Sequence, residues 1–335
     1  MLEAHYDALS LVLPVLRARL AWAKALSTSC HTRGGRMREE NSMDLGYVYA
    51  VITLLIWSSF VVISRYGSRG ILNPFDIAAL RIGTAALVLS PWWFPRLMNP
   101  AKRQLTAYQT VTVALLAGIG YPLVAYTGFK FAPANHGAVL ISGMLPFFTS
   151  VLAIFWLHER PNHVRMAGLA LIMLGVGTLL VHSMASSTVG KHVILGDALL
   201  LGASILWSMF TVLLKYWKVR AFDVTLGVSA ASALIYLPIY LLFLPKNITH
   251  APWQDIALQA IFQGIVVVCI AMWTYARAAE LLGTVRVVIM MSAVPVVGAL
   301  LAIPMLGEQM SSGLALGVSI TFLGTFMGAM AKPGR

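Results

Sequence analysis

The residue best suited to do chemistry in this chain is Arg81, the one charged side chain in the apolar run of residues 77–95. A guanidinium among apolar residues either binds a carboxylate or another anion, or it pairs with backbone carbonyls and caps a helix end. A charge within hydrocarbon costs about 2.5–3.5 kcal/mol or more, so we expect Arg81 to face the protein interior or an aqueous cavity. The sequence leaves the ligand role and the structural role open.

Two tryptophan–serine pairs stand in matching places. Trp57 and Ser58 occur in LIWSSF, and Trp207 and Ser208 occur in ILWSMF, 150 residues later. A buried indole N–H needs a hydrogen-bond partner, and each tryptophan has a hydroxyl beside it in the chain. We expect both pairs to line a substrate pathway from opposite sides, with core packing as the alternative.

Four further side chains are predicted to contact a substrate. They are Tyr126, His136, Trp273 and Tyr275. Tyr126 and Tyr275 occupy equivalent places 149 residues apart. His136 opens an apolar stretch, where a helix N-terminus disfavours extra positive charge. We therefore expect a neutral His136 that either donates a hydrogen bond to substrate or caps its helix.

No catalytic or metal-binding pattern accompanies these residues. The chain shows no Walker motif, zinc signature, paired catalytic carboxylates or serine–lysine pattern, and its histidines lack the spacing of metal ligands. No Asp or Glu lies near the centre of an apolar stretch, so an acidic proton relay is not visible. We expect no enzyme activity, catalytic residue, metal or cofactor. The alternative class is an intramembrane enzyme or lipid-handling protein that uses Arg81 and His136.

The composition places these residues in a membrane. Of the 335 residues, 59% are hydrophobic and 11% are charged, and the mean hydropathy is +0.80, whereas soluble domains carry about 25% charged residues. The apolar stretches reach about 20 residues, which is enough to cross a bilayer. The expected surrounding is therefore lipid. The net charge of +12 is expected to set orientation in the bilayer, and no nucleic-acid partner is expected.

Charged residues and turn residues divide the chain into ten predicted spans. They lie near residues 45–64, 75–95, 107–129, 136–157, 164–183, 196–215, 222–244, 256–279, 286–306 and 311–331. With the N-terminus in the cytoplasm, 18 of the 24 Lys and Arg residues fall on the cytoplasmic side and five on the other. This bias predicts that both termini lie in the cytoplasm. We expect a multi-pass protein of the cell inner (plasma) membrane.

The two halves of the chain repeat one another. Residues 46–66 match residues 196–216, and later segments match at offsets of 147 and 149 residues. Because each half contains five spans, an odd number, the second half must enter the membrane upside down relative to the first. The predicted fold is all-α, with ten transmembrane helices arranged as two inverted five-helix repeats and a site near the midplane between them.

The predicted units are residues 44–184 and residues 195–332, preceded by a leader of residues 1–43. The start of the leader is either disordered or an amphipathic helix on the membrane surface. Residues 27–42 are expected to form a flexible linker. Met43, directly before the first unit, is an alternative start of the natural protein.

Pro146 and Pro295 interrupt the fourth and ninth spans in equivalent places. A proline within a helix leaves the carbonyl four residues earlier without its donor and kinks the helix. We expect these prolines to be hinges, and the alternative is a pair of static kinks that shape a cavity.

Acidic residues and glycines complete the repeated pattern. Glu159 and Glu308 are expected to hold helix ends at the membrane surface, with Arg165 among the candidate partners of Glu159. Gly324 and Gly328 have the small-residue spacing that permits close approach of two helices. That approach can occur within one chain or in a homodimer.

Together these features resemble the drug/metabolite transporter superfamily, in particular its EamA-type members with two tandem five-helix units. The resemblance covers residues 45–331. It is carried by ALRIGTAAL around Arg81, by YTGFKFAPANHGAVL through PFFTSVLAIFWLHE, and by the repeat of that stretch in YARAAELLGTVRVVIMMSAVPVVGALLAIPMLGE. It implies a secondary transporter that exports small metabolites, with amino acids or related compounds as substrates, by alternating access. Val228 occupies the position in the second half that is equivalent to Arg81. We expect substrate recognition at positions where the two halves carry different residues, as here.

Overall fold

The computed structural model describes residues 35–99, 104–185, 191–219 and 221–330. The chain divides into two compact units, Met1–Asp44 and Leu45–Arg335, and the helix bundle is the second unit. The predicted leader falls mostly on residues outside the described ranges. The described part, from Gly35 onward, is helical, although the sequence favoured a linker there. Met37, Arg38, Glu39 and Glu40 are good helix formers and can continue the first helix backwards.

Ten helices are long and apolar enough to cross a membrane. Within the described residues they are α1 (Met43–Arg69), α2 (Pro74–Met98), α3 (Ala107–Phe131), α4 (Ala134–Leu157), α5 (His163–Val181), α6 (His192–Trp217), α7 (Asp223–Phe243), α8 (Trp253–Leu282), α9 (Thr284–Leu306) and α10 (Ser312–Met330). The described residues contain no strand. The predicted all-α fold with ten spans is therefore confirmed. Large apolar side chains such as Leu87, Phe155 and Phe243 are exposed on these helices, as lipid contact requires.

The first helix of each half packs against the third helix of the other half. On one side, Thr53 of α1 shares a hydrogen bond of 2.7 Å with Thr274 of α8. On the other side, α6 approaches α3 so closely that a Cβ at Gly196 would lie 2.9 Å from the Gly128 carbonyl oxygen. Helices α2 and α7, α4 and α9, and α5 and α10 form the remaining pairs. Such an exchange is what two inverted repeats around a pseudo-two-fold axis produce.

Glycines bring α5 and α10 into backbone contact. A Cβ at Gly168 would lie 2.7 Å from the carbonyl oxygen of Gly324, and a Cβ at Gly175 would lie 2.7 Å from that of Gly317. Small residues are needed where two backbones approach this closely. The sequence left open whether Gly324 packs within the chain or in a homodimer, and in the structure it packs within the chain.

Helices α4 and α9 are interrupted directly before their prolines. The segments are Ala138–Gly143 (π-helical) and Leu145–Leu157 in α4, and Thr284–Met291 and Val294–Leu306 in α9. Pro146 and Pro295 therefore stand in the first turn of the second segment, where the missing N–H of a proline costs little. The breaks thus occur where the sequence placed them, and motion at them stays a prediction.

Asp76 ties the start of α2 to the loop that follows α7. Its carboxylate accepts hydrogen bonds from the backbone N–H groups of Asn73 and Asn247, both at 3.0 Å, and from the Tyr240 hydroxyl at 2.6 Å. The Asn73 side chain in turn accepts a hydrogen bond from the Asp76 N–H, which completes a capping box. One buried carboxylate therefore satisfies donors from three segments.

Replacing Asp76 by alanine is expected to lower the free energy of unfolding by about 2 kcal/mol or more, because three donors lose their acceptor. Thermal unfolding in detergent, followed by tryptophan fluorescence, measures the loss. Asp223→Ala is the matched control in the second half. Asp223 contacts Arg96 at 3.4 Å, and such a pair with a partly exposed arginine is worth about 0–1 kcal/mol. Equal losses in the two variants would contradict the role given to Asp76.

Candidate functional site

A cavity of about 180 Å³ lies between the two halves of the bundle. Its walls come from α1–α4 of the first half and from α6–α9 of the second. A space of this size can hold several water molecules or a small ligand. The cavity lies where the inverted repeat predicts a site, between the two halves.

Arg81 is the charged residue of this lining. Its side chain is largely buried, with 7% of the residue exposed. The guanidinium carbon lies 5.9 Å from the centre of the Phe60 ring, and the Nη1 atom is buried without a hydrogen-bond partner in the described residues. The Tyr121 and Tyr126 hydroxyl groups are its polar neighbours. A buried cation with an unused donor is prepared to receive an anion.

Aromatic side chains form much of the wall around Arg81. Trp57 and Trp207, the equivalent tryptophans of the two halves, both line the cavity, as do Phe60, Tyr121 and Phe210. The ring centres of Tyr121 and Trp207 are 4.8 Å apart, a distance typical of packed aromatic pairs. The wall can therefore hold an apolar or aromatic body against rigid rings.

A carboxylate of the second half caps the start of α4. The Glu308 carboxylate, just past the end of α9, accepts hydrogen bonds from the backbone N–H groups of Ala134 at 2.7 Å and Asn135 at 3.0 Å. These N–H groups belong to the first turn of α4, which has unpaired donors and the positive end of the helix dipole. The following residue, His136, is 9% exposed. A carboxylate from one half thus covers a helix start of the other.

The equivalent contact is not made at the opposite end within the described residues. There Glu159, the counterpart of Glu308, pairs with Lys215 and, at 3.6 Å, with Arg165. It does not cap the start of α9. Val285, the counterpart of His136, is 61% exposed. A fully symmetric bundle would make the carboxylate–helix contact at both ends or at neither, and this one makes it at one end.

Both halves match one protein-family model. The model of the EamA-like transporter family matches residues 44–181 and again residues 194–329, which together make up most of the chain. The chain belongs to the EamA-like transporter family. The resemblance identified in the sequence is thereby confirmed, and with it the prediction of a membrane transport protein.

Three curated relatives carry transporter names. An "uncharacterized transporter" of Archaeoglobus fulgidus is 24% identical over 292 residues, which cover 84% of this chain and 96% of that protein. A "probable amino-acid metabolite efflux pump" of Escherichia coli is 29% identical over 168 residues, which cover 48% of this chain and 50% of that protein. The "uncharacterized transporter YoaV" of Bacillus subtilis is 26% identical over 163 residues, 48% of this chain and 54% of that protein.

A solved crystal structure has the same fold. It superposes on this transporter with a TM-score of 0.56 at 19% sequence identity, and the match covers 86% of this chain and 96% of that chain. At this identity the likeness supports the architecture alone.

The serines that follow the two tryptophans do not line the transporter's cavity. Ser208 is buried, and its hydroxyl donates a 3.4 Å hydrogen bond to the Leu145 carbonyl of α4. Ser58 is also fully buried, and its carbonyl faces Gly298 of α9. Both serines therefore contact the broken helices rather than the cavity.

Tyr126 lies beside the cavity in a polar network that the sequence analysis missed. Its hydroxyl donates to Gln263 Oε1 at 3.0 Å, and Gln263 Nε2 donates to the Ser64 hydroxyl at 3.2 Å. Gln259, one helical turn earlier, donates to the Ile63 carbonyl at 3.1 Å. The available signal was a pair of glutamines four residues apart, which must share one face of α8. The network joins α1, α3 and α8 within the transporter.

His136 is paired with a carboxylate rather than with the cavity. Its Nδ1 lies 2.9 Å from Asp197 Oδ1, and both side chains are buried. Asp197 stands near the start of α6, where the sequence analysis gave it no role because it is far from the centre of a span. His136 is not among the residues that line the cavity with Arg81. The geometry thus does not bring together the pair on which the enzyme alternative depended.

The remaining predicted site residues pack on α1. Trp273 contacts Tyr49 edge to face with ring centres 5.2 Å apart, and Tyr275 lies 5.2 Å from Trp57. Neither Trp273 nor Tyr275 lines the cavity, but Tyr275 supports Trp57, which does.

The proline breaks open onto the cavity. Ser142 and Met291 stand four residues before Pro146 and Pro295, and both line the cavity. Each proline lacks the N–H that an α-helix would direct to the carbonyl of that residue. Movement at either break would therefore change the cavity wall directly.

The described part of the transporter holds no group of three or more His, Cys, Asp or Glu side chains placed to bind a metal ion.

Proposed function

We propose that this EamA-like protein is a secondary transporter that exports small metabolites, amino acids or related compounds, by alternating access. The observation that carries the proposal is the cavity between the two halves, with a buried Arg81 in its wall whose Nη1 atom has no hydrogen-bond partner in the described residues. A cavity at the interface of inverted repeats is where such transporters bind their substrate.

The unequal ends support alternating access. The capped start of α4 closes one end, and the exposed start of α9 leaves the equivalent end open. Because the halves are related by pseudo-symmetry, a second state in which Glu159 caps α9 and Glu308 releases α4 is available to the same chain. The breaks at Pro146 and Pro295 lie between these helix starts and the carboxylates that exchange, so bending there can couple the two ends.

The charge bias gives the orientation that we propose. The closed end carries the few basic residues of the bundle, among them Arg65 and Lys246, and the open end carries the larger number. By the positive-inside rule the open end faces the cytoplasm and both termini are cytoplasmic. A cavity open to the cytoplasm is in the state that would load a substrate for export from the cell.

The cavity and one named relative both support amino acids or related compounds as the substrate class. The cavity has the size and the aromatic walls for a metabolite with the mass of an amino acid. The Escherichia coli relative is named as an amino-acid metabolite efflux pump, and its match covers half of that protein. Amino acids and compounds derived from them are therefore the first substrates to test.

Flux across a sealed membrane tests the proposal. Purified protein in liposomes loaded with a mixture of labelled amino acids and their acid derivatives is expected to release at least one of them faster than protein-free liposomes. Chemical analysis of the released compound checks that it is unchanged. Conversion of the compound without flux would instead establish an enzyme, and equal release from both kinds of liposome would remove the proposal.

A further inference from the structure

We propose that the cavity selects monocarboxylates with an apolar or aromatic body and without an ammonium group. Examples by chemical class are 2-oxo acids, 2-hydroxy acids and N-acylated amino acids. The inference rests on the proposed transport function and narrows its substrates, because it assigns the charge that a ligand must carry.

Arg81 has no counter-ion among the described residues. The residue is 7% exposed, and within the described residues no carboxylate lies within 4 Å of its guanidinium. A buried charge without a counter-ion is costly, and the cost is relieved when an anion binds. The missing partner of Arg81 is therefore supplied by the ligand.

The rest of the cavity wall is uncharged. The residues that line the cavity are all described, and among them Arg81 alone is charged. The other side chains with a polar atom carry no charge: they are the hydroxyl groups of Ser142, Thr225, Ser229 and Ser232, the phenol of Tyr121 and the indoles of Trp57 and Trp207. A bound ammonium group would find no carboxylate there, and a second carboxylate would find no second cation. The wall thus fits a single negative charge.

The apolar part of the wall determines which ligand body fits the cavity. Trp57, Phe60, Trp207 and Phe210 present aromatic surface to the cavity, and Met272 adds a flexible apolar side chain. Rings and thioethers favour apolar and aromatic partners of varied shape. A carboxylate attached to such a body satisfies Arg81 and the wall together.

Ser232 adds a polar contact beyond the carboxylate. Its hydroxyl is buried and has no hydrogen-bond partner in the described residues, although the residue lines the cavity. Helices α7 and α2, which carry Ser232 and Arg81, pack against each other. An unused hydroxyl in this wall suits an oxygen on the ligand, such as a 2-oxo or 2-hydroxy group.

Four probes with one carbon skeleton test the charge assignment on the unmodified protein. They are 3-phenylpropanoate, L-phenylalanine, 3-phenylpropanamide and 3-phenylpropylamine. We expect 3-phenylpropanoate to bind at least tenfold more tightly than each of the other three, measured by quenching of tryptophan fluorescence and by the upward shift of the unfolding temperature in detergent. L-phenylalanine binding as tightly as 3-phenylpropanoate, or more tightly, would overturn the inference.

Variants of the arginine provide the second measurement. Arg81→Lys is expected to keep the preference for 3-phenylpropanoate over its amide, and Arg81→Gln is expected to lose it. Arg69→Gln, which removes an exposed arginine at the end of α1, is the control and should leave the preference unchanged. If Arg81→Gln is folded by its unfolding temperature and still prefers the carboxylate, the assignment to Arg81 fails.

The liposome assay separates the two proposals. Flux of some metabolite without a preference for carboxylates would remove the inference and leave the transport function in place. Arg81-dependent binding of 3-phenylpropanoate without flux of any compound would support the inference and remove the transport function.

Discussion

Valine in place of Gly175 is expected to prevent the folded bundle from accumulating in the membrane. A Cβ at this position would lie 2.4 Å from the Thr321 hydroxyl, 2.7 Å from the Thr321 backbone nitrogen and 2.7 Å from the Gly317 carbonyl oxygen. Two of these atoms are backbone atoms of α10, so no side-chain rotation can remove the clash. Helices α5 and α10 must separate along their contact, which costs more than the roughly 1–3 kcal/mol of an ordinary overpacked core.

The yield of monodisperse protein after detergent extraction, measured by size-exclusion chromatography, is expected to fall at least tenfold for Gly175→Val. Gly177→Val is the matched control, because Gly177 lies on the same helix and a Cβ there would have no atom within 4 Å. It should be recovered at the level of the unmodified protein. Equal recovery of the two variants would show that α5 and α10 are not in backbone contact.

The contact between α5 and α10 could be predicted only in part from the sequence. The repeated glycines predicted close approach of helices, and the count of ten spans followed from apolar length. The partner of each glycine did not follow, because a small residue permits a neighbour without specifying which one. Gly324 was compatible with a second chain until the structure placed Gly168 and Ile172 against it.

The same limit applies to the site. Arg81 stood out because a lone charge in an apolar stretch must have an interior role, and Trp57 and Trp207 stood out because the repeat preserves them. Asp197 did not stand out, because in the sequence a carboxylate near the end of a span cannot be distinguished from an ordinary surface residue. Its partner, His136, is remote in the sequence. Pairings across the two halves depend on packing that periodicity does not encode.

Removal of the Glu308 carboxylate is expected to loosen the closed end of the bundle. Hydrogen bonds to a charged group contribute about 1.5–3 kcal/mol each, and Glu308 accepts two from the start of α4. Water replaces part of the hydrogen bonding that the carboxylate provides. We therefore expect Glu308→Ala to favour the open state over the closed state by about 2–3 kcal/mol, which raises the ratio of open to closed molecules by a factor of roughly 30–150.

Thiol labelling measures this opening. Cys30 and Cys269, the two cysteines of the chain, are replaced by alanine, and Ala134→Cys places a single thiol at the start of α4. Ala134 is fully buried, so a membrane-impermeant reagent should label the closed bundle slowly. Adding Glu308→Ala is expected to raise the labelling rate by the same factor of roughly 30–150, provided that opening is fast and reversible.

Glu159→Ala distinguishes release of a gate from general loss of stability. Glu159 occupies the equivalent place at the other end, where it pairs with Lys215 and Arg165 and caps no helix. If the two carboxylates exchange roles between two states, removal of Glu159 weakens only the state that is closed at its own end. Labelling at position 134 should then not rise. If both substitutions accelerate labelling equally, Glu308 acts on the stability of the whole bundle. If only Glu308→Ala accelerates labelling at position 134, this carboxylate holds one end of the pathway shut.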